Sequence, residues 1–470
     1  MWAPQTVVEL MRSKLGGAET DATVSMPKSK SAAKSTTASV LSQFSQYVAA
    51  GSATMAREET EKKANPFQTM EHINVREWIK LIVGALIVAP LRFLIILLVI
   101  GIGTIFMMLT VAGADISKPL SPRRGFAQQI ITAICGYLIC ACMGVYRIRI
   151  KGTHASAEEC KMIIAAPHST VMDAVILAYA CRGPSTVGKI EMSKTFLGPF
   201  MNALQTIYVD RSDKFNRSSV AAQIRARVGA ASPWRRQLMI FPEGTCTNRT
   251  SLISFRRGAF EPCAPVQPVV LHWSYTNFDP TWCAGAPSRT LIALRTLSQF
   301  FHEVTVEFLP VYKPSKEERA DSALYTENVR KLMAVSLGIP TSDHSYEDMF
   351  LAQVAAKNKL KPSAVLPFTY ASLRSKLPPA AASSPRLFER VRGLLLCFAK
   401  APLMTKERPR LDRAQFDVVS PVAATSLDIK IPLTWTQVAL ESSVAGAPSS
   451  ADTFTFYEFA LAHLKAASWD

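Results

Sequence analysis

The sequence predicts an α/β domain, preceded by membrane-associated helices and followed by a small, mainly helical C-terminal unit. Three observations carry that expectation. Residues 93–114 run for 22 positions without a charge. From about residue 145, short apolar runs alternate with helical patterns over about 190 residues, the order of an α/β domain. Pro378, Pro379, Pro385 and the Ala/Ser run 380–384 then mark a linker before a last segment at 386–470.

Residues 1–65 are rich in Ser, Thr, Ala and Lys. They lack the apolar core of a secretory signal peptide, and their composition predicts disorder. Residues 76–146 are expected to be membrane-associated helices. At 1.5 Å per residue, the uncharged run 93–114 extends about 33 Å, enough to cross a bilayer core. Arg76, Lys80 and Arg92 precede it and Lys118, Arg123 and Arg124 follow, so the basic flanks give no orientation. A balanced count fits a re-entrant hairpin with both flanks cytosolic, its arms at 79–89 and 93–114 and its bend at Pro90. A second apolar stretch, 130–146, either spans or lies in the interface on basic flanks.

The domain at 147–350 follows. "VYRIRIKG" alternates apolar and basic residues, a strand pattern. "KMIIAAPH", "TIYVDR", "QLMIFPEG", "VQPVVLHWSY" and "VTVEFLPVY" read as further strands, and "DAVILAYAC" as a helix. Val220, Ile224 and Val228 share one face of another helix.

Composition bounds function. The chain has 470 residues, 49% of them hydrophobic, which is too polar for a polytopic transporter. Its 53 Lys+Arg against 36 Asp+Glu give a net charge of +17, which favours anionic partners: nucleic acid, acidic headgroups or phosphorylated ligands. Nine cysteines, an odd number without a C-x-x-C, exclude a disulfide framework and a zinc ribbon and suggest a reducing compartment.

Three clusters bear chemistry. In "APHSTVMD", His168 and Asp173 stand five residues apart at a strand-to-helix turn. The helix dipole there disfavours the imidazolium, leaving His168 able to take a proton, and Asp173 is placed to fix its tautomer. Positions i and i+5 meet only if His168 precedes the helix proper. In "FPEGTCTNRTSLISFRRGAF", residues 241–260, Glu243, Gly244, Thr245, Thr247, Asn248, Arg249 and Thr250 crowd one loop suited to a phosphate or polar headgroup. Arg256 and Arg257 add charge. The third cluster, "TIYVDR", ends in Arg211, a weak signal by itself.

Taken together, the clusters resemble the glycerolipid acyltransferase family, whose motifs H-x-x-x-x-D and F-P-E-G-T read here as His168 to Asp173 and Phe241 to Thr245. The match looks closest to the lysophosphatidylcholine acyltransferases, whose third motif is similar to "EGTCTNRTSLISFRRGAF". Their later segments are similar to "APVQPVVLHW" and "VEFLPVYKPSKEERADSALYTENVRKLMAVSLGIP". The likeness covers about residues 78–350. It departs at the second motif, where many relatives carry a Gly and this chain has Ala203, Leu204, Gln205 and Thr206.

The resemblance implies a mixed-sheet acyltransferase domain that moves a fatty acyl group from acyl-CoA to a lysophospholipid hydroxyl, with lysophosphatidylcholine as the favoured acceptor. It makes His168 the general base and Asp173 its orienter. Glu243, Gly244, Thr245, Asn248 and Arg249, assisted by Arg211, bind the phosphate-bearing substrate, with Glu243 fixing Arg249 or Arg211. Acyl-CoA is a substrate, and neither cofactor nor metal is expected. Partners are the membrane, acyl-CoA and lysophospholipid, not nucleic acid. The location implied is the endoplasmic reticulum or another internal membrane, with the catalytic domain facing the cytosol.

The alternatives are lysophosphatidate as acceptor, or a CoA-independent transacylase or hydrolase. The last would need a nucleophile, and Ser169 lies in no G-x-S-x-G elbow. Animal relatives often carry EF-hands after this domain. Leu411 and Phe454 can be set at position eight of two such loops, but the ligand positions then hold Met404, Lys406, Arg408, Ala447, Ser449 and Ala451, with only Glu458 in place. The tail is therefore either a degenerate EF-hand pair or an unrelated helical unit, and calcium is not expected to bind.

Overall fold

The structure, a computed structural model, describes residues 65–67, 75–210, 214–274, 279–283, 288–358, 360, 369–399, 410–412, 416–417, 419–420, 422–423, 427 and 453–467. Seven short strands build one mixed sheet: β1 (Arg147–Lys151), β2 (Met162–Ala166), β3 (Ser185–Lys189), β4 (Ile207–Val209), β5 (Leu238–Ile240), β6 (Val266–Ser274) and β7 (Glu303–Phe308). Their order is β1-β7-β6-β2-β5-β3-β4. β6 and β7 pair antiparallel, and every other neighbouring pair is parallel.

β2 is buried along its whole length, which explains its unbroken apolar run. On β7, Val304, Val306 and Phe308 are buried while Glu303, Thr305 and Glu307 are half-buried, the alternation of a strand with one face on the core. Met172, Ile176 and Leu177 of the helix after β2 close over Ile163, Ala165, Val269 and Leu271. β3, with Ser185, Thr186 and Gly188, is the strand that hydropathy misses.

Helix α1 (Val75–Val83), a π-turn (Gly84–Val88) and helix α2 (Ala89–Val111) form one continuous rod, with Val83, Val88 and Ala89 all right-handed helical. The chain therefore does not reverse at Pro90, and the expected arms at 79–89 and 93–114 are not a hairpin. Pro90 lies in the first turn of α2, where a helix tolerates it, and the wider π-turn precedes it. The hairpin is instead α2 with α3 (Pro122–Cys142), turned through residues 112–121 with Gly113 at φ +65°. The helices Trp78–Val111 and Pro122–Cys142 are both long and apolar enough to cross a membrane.

Both ends of this hairpin are tied to the α/β domain. At its tip, Gln205 Nε2 donates to Ile116 O (2.8 Å) and Lys118 O (2.7 Å). Midway, Gln128 Nε2 donates to Ala203 O at 3.0 Å. At the base, Arg92 is buried and donates to Leu297 O (2.8 Å), Gln299 O and the Tyr146 hydroxyl (2.8 Å). A guanidinium against carbonyls at a helix C-terminus is favourable on both charge and hydrogen-bonding grounds.

The C-terminal segment is not a separate unit. Leu387, Val391, Leu394 and Phe398 of the helix Leu387–Ala399, with Phe416, Phe456, Phe459 and Leu464, share one core with Ile253, Met349 and Phe67. Two short strands, β8 (Arg410–Asp412) and β9 (Thr453–Thr455), pair antiparallel with Leu411 opposite Phe454. Residues 404–409 and 447–451 lie outside the described residues. Glu458 accepts from the Thr455 N–H (2.6 Å) and hydroxyl (2.8 Å), so its carboxylate caps a helix.

Candidate active site

Parallel strands β2, β5, β3 and β4 all deliver their carboxyl ends to one edge of the sheet, where open α/β sheets bind ligands. His168 follows β2 and Phe241 follows β5. Helix α4 (Val171–Ala180) begins only after His168, with Thr170 as its N-cap. The ring is therefore free to turn back onto Asp173 at N3. His168 Nδ1 lies 3.2 Å from Asp173 Oδ2. That same oxygen accepts the backbone N–H of Ser169 (2.6 Å) and of Thr170 (2.8 Å). Trp273 Nε1 donates to Oδ1 at 2.8 Å. Asp173 is buried and held on both oxygens, so it can orient the imidazole without moving.

Glu243 supports this pair from within the core. It is buried, and its Oε2 accepts the His168 backbone N–H at 2.6 Å. Burial pushes its carboxyl up to about 7, opposed by that N–H. Phe241 stacks on the His168 ring at 4.1 Å between centroids. Thr247 N–H donates to His168 O at 2.8 Å, which locks the two motif loops together.

His168 does not have the depressed proton affinity expected of a helix N-terminus. Burial opposes the charged ring most strongly, but Cys246 and Asp173 both face it and outweigh burial, so its pKa is pushed up to about 10. The local partners outweigh the dipole.

The remaining candidates divide. Gly244, at φ +67°, and Thr245 are half-buried, and the Arg256 side chain lies beside Gly244. Arg249, also left-handed at φ +66°, gives its charge to Asp279 (3.1 Å) and a hydrogen bond to Thr281 (2.7 Å). The expectation that Glu243 fixes Arg249 is thereby corrected. Asn248 is buried, and its Nδ2 donates to Asn65 O (2.9 Å) while its N–H donates to Pro66 O (2.8 Å). It is a tie, and Asn65, placed in the disordered region by composition, is ordered by it. Arg211 lies outside the described residues.

Trp273, Asp279, Thr281, Asn65 and Arg256 were not picked out as site residues from sequence. Trp273 lies near the end of β6, a strand legible in the sequence, but only the pairing of β6 with β2 brings it to Asp173. Arg256 was visible as charge, without a place.

A family model described as Acyltransferase matches residues 147–272, from β1 into β6. The chain is 40% identical over 246 residues to the lysophosphatidylcholine acyltransferase of Drosophila melanogaster, covering 52% of this chain and 45% of that protein. To lysophosphatidylcholine acyltransferase 2 of Rattus norvegicus it is 35% identical over 317 residues, 67% of this chain and 58% of that one. The chain thus spans about half the length of the curated relatives it matches. The solved 1-acyl-sn-glycerophosphate acyltransferase PlsC of Thermotoga maritima is 12% identical with a TM-score of 0.37, over 54% of this chain and 96% of that one, too distant to bear on the fold.

Residues 147–272 thus carry the match to the Acyltransferase family model, on the strands and loops that hold His168, Asp173 and Glu243. Among whole proteins, the chain is similar to lysophosphatidylcholine acyltransferases.

Proposed function

We propose that the protein is an acyl-CoA:lysophospholipid O-acyltransferase, with lysophosphatidylcholine the favoured acceptor. The observation that supports this most directly is His168 held by Asp173 at the carboxyl edge of the sheet, its backbone seated on Glu243. With Nδ1 facing Asp173, Nε2 is the nitrogen left to take the proton of a lysolipid hydroxyl. The alkoxide forms its bond to the thioester carbonyl carbon. The C–S bond then breaks, and the imidazolium returns the proton to the departing CoA thiolate. A thioester is already activated, so this chemistry calls for no resident metal or redox cofactor. Gly244, Thr245 and Arg256 line the side suited to a phosphate; Arg249 would join them by exchanging Asp279 for it.

The same reading makes α2 and α3 a monotopic hairpin in an internal membrane, with the domain on the cytosolic side where acyl-CoA is made. A hairpin tied to the domain at tip, middle and base lies along one leaflet rather than across the bilayer. The test is purified full-length chain in detergent with labelled acyl-CoA and a panel of lysolipids, products read by mass. Esterified product with lysophosphatidylcholine, absent in His168→Ala, is expected. No product with any lysolipid, or transfer from diacyl lipid without acyl-CoA, would overturn the reading.

A further inference from the structure

Helix α5 (Arg289–Ser298) has two different faces. Ile292, Arg295, Thr296, Leu297 and Ser298 are buried. That side is fastened to the apolar rod: a Cβ on Gly84 would fall 2.5 Å from Ser298 O, so only glycine lets the two elements approach this closely. Arg92 holds the carbonyls of Leu297 and Gln299 at the same junction. The other side exposes Leu291 (40%) and Leu294 (37%), and the chain leaving the helix exposes Phe300 (51%) and Phe301 (56%).

We propose that α5 with Phe300 and Phe301 is a third membrane-contact element, seated in the headgroup–acyl boundary of the leaflet that holds the α2–α3 hairpin. The proposal rests on the membrane reading above and adds a surface to it. A lipid leaflet is the occupant the structure favours for three reasons. The exposed apolar row belongs to a helix packed directly against a rod whose Leu86, Ile87 and Leu91 are themselves exposed. Residues 288–302 contain no Asp or Glu, and Arg289 is exposed at the start of the helix, a balance that suits anionic headgroups. The segment before α5 also reaches the site: Trp282 N–H donates to Ser169 O at 2.7 Å, next to His168, and Asp279 and Thr281 hold Arg249. The element resting on lipid is thus continuous in chain with the wall of the site, which puts the mouth at the leaflet from which a lysolipid would come.

The test uses the full chain in phosphatidylcholine/phosphatidylserine vesicles, with the photoreactive residue p-benzoylphenylalanine in place of Phe301, of Phe106 on α2, or of Leu324 on the α/β domain. All three are exposed positions. After illumination, lipid adducts are counted by mass. Adducts at 301 within about threefold of those at 106, and at least tenfold fewer at 324, are expected. Adducts at 106 but none at 301, or cross-linking of 301 to a second copy or another protein, would overturn the proposal and leave the membrane reading standing. Equal adducts at all three positions would also overturn it. No adduct at 106 or 301 would remove the membrane reading as well.

Discussion

One oxygen of Asp173 serves both the start of helix α4 and the ring of His168: Oδ2 is 3.2 Å from Nδ1 and accepts two backbone N–H groups, while Trp273 holds Oδ1. Asp173→Asn sets an amide hydrogen against those donors or against Nδ1. Acyl transfer should fall by about 10²–10⁴-fold, as loss of a base's orienting carboxylate does. Trp273→Phe removes one hydrogen bond and should lower kcat by about tenfold with KM unchanged. Steady-state kinetics with circular dichroism on each variant decides it; wild-type kcat in Asp173→Asn would exclude the orienting role.

The pH dependence follows from the partners of the ring. Cys246 and Asp173 hold the His168 proton past neutrality. The base works only when neutral, so kcat/KM should climb with pH on a limb lying above the ordinary histidine value of about 6.5. Stability works the other way. The raised pKa contributes stability that is full below about 6.5 and is lost as pH rises through about 10. Cys246→Ser removes one of the two groups that favour the imidazolium and should move the limb to lower pH. A limb that stays put in this variant would take Cys246 out of the electrostatics of the site.

How far the sequence reached can be judged residue by residue. His168, Asp173 and the loop from Phe241 are local signals, written within a few residues of a strand end, and the structure brings them together. Five of the seven sheet strands carry apolar runs and β1 an apolar–basic alternation, so six are legible; β3 is not, because Gly188 and two hydroxyl residues give it little hydropathy. The roles of Glu243, Asn248 and Arg249 depend on partners 30 to 183 residues away, at His168, Asn65 and Asp279, which no local pattern reveals. Pro90 misled because proline both bends a chain and begins a helix.

The Arg249 pair can be examined by a double-mutant cycle. Arg249→Ala should raise the apparent KM for the phosphate-bearing substrate by about tenfold, since a contact made equally in ground and transition states changes binding alone. Asp279→Asn frees the guanidinium and should leave that KM equal or lower. If instead both variants lower stability equally and neither changes KM, Arg249 is only a brace between its loop and residues 279–281.

The strap at Asn65 to Phe67 should matter for folding. Phe67 is buried against the core that Ile253 and Met349 share, and its neighbours hold Asn248. Phe67→Ala should cost about 3–5 kcal/mol, the range for a buried aromatic, read as a lowered Tm. Truncation of residues 1–60 should leave Tm within a degree or two, and truncation of 1–67 should lower it further than the point variant, since the ties to Asn248 go as well. Equal Tm in the two truncations would show that the strap contributes nothing.

The hairpin makes the last prediction. Gln205 at the tip and Arg92 at the base bind opposite ends of α2 and α3 to one domain. Trp78–Val111 is 34 residues, about 51 Å at 1.5 Å per residue, far longer than a hydrocarbon core of about 30 Å. A rod of that length braced along a folded α/β domain fits a position in the plane of one leaflet. It does not fit a crossing, which would drag Gln205 and the Ile116 and Lys118 carbonyls to the far side. Epitope tags ahead of α1 and after residue 120 should therefore both be cleaved by protease added outside sealed microsomes. Protection of one tag alone would establish a crossing and show that the tip contacts of Gln205 do not persist in the membrane. Gln205→Ala gives an independent readout. Loss of two hydrogen bonds at the tip should lower Tm and speed protease cleavage within 112–121, without altering the side on which either tag lies.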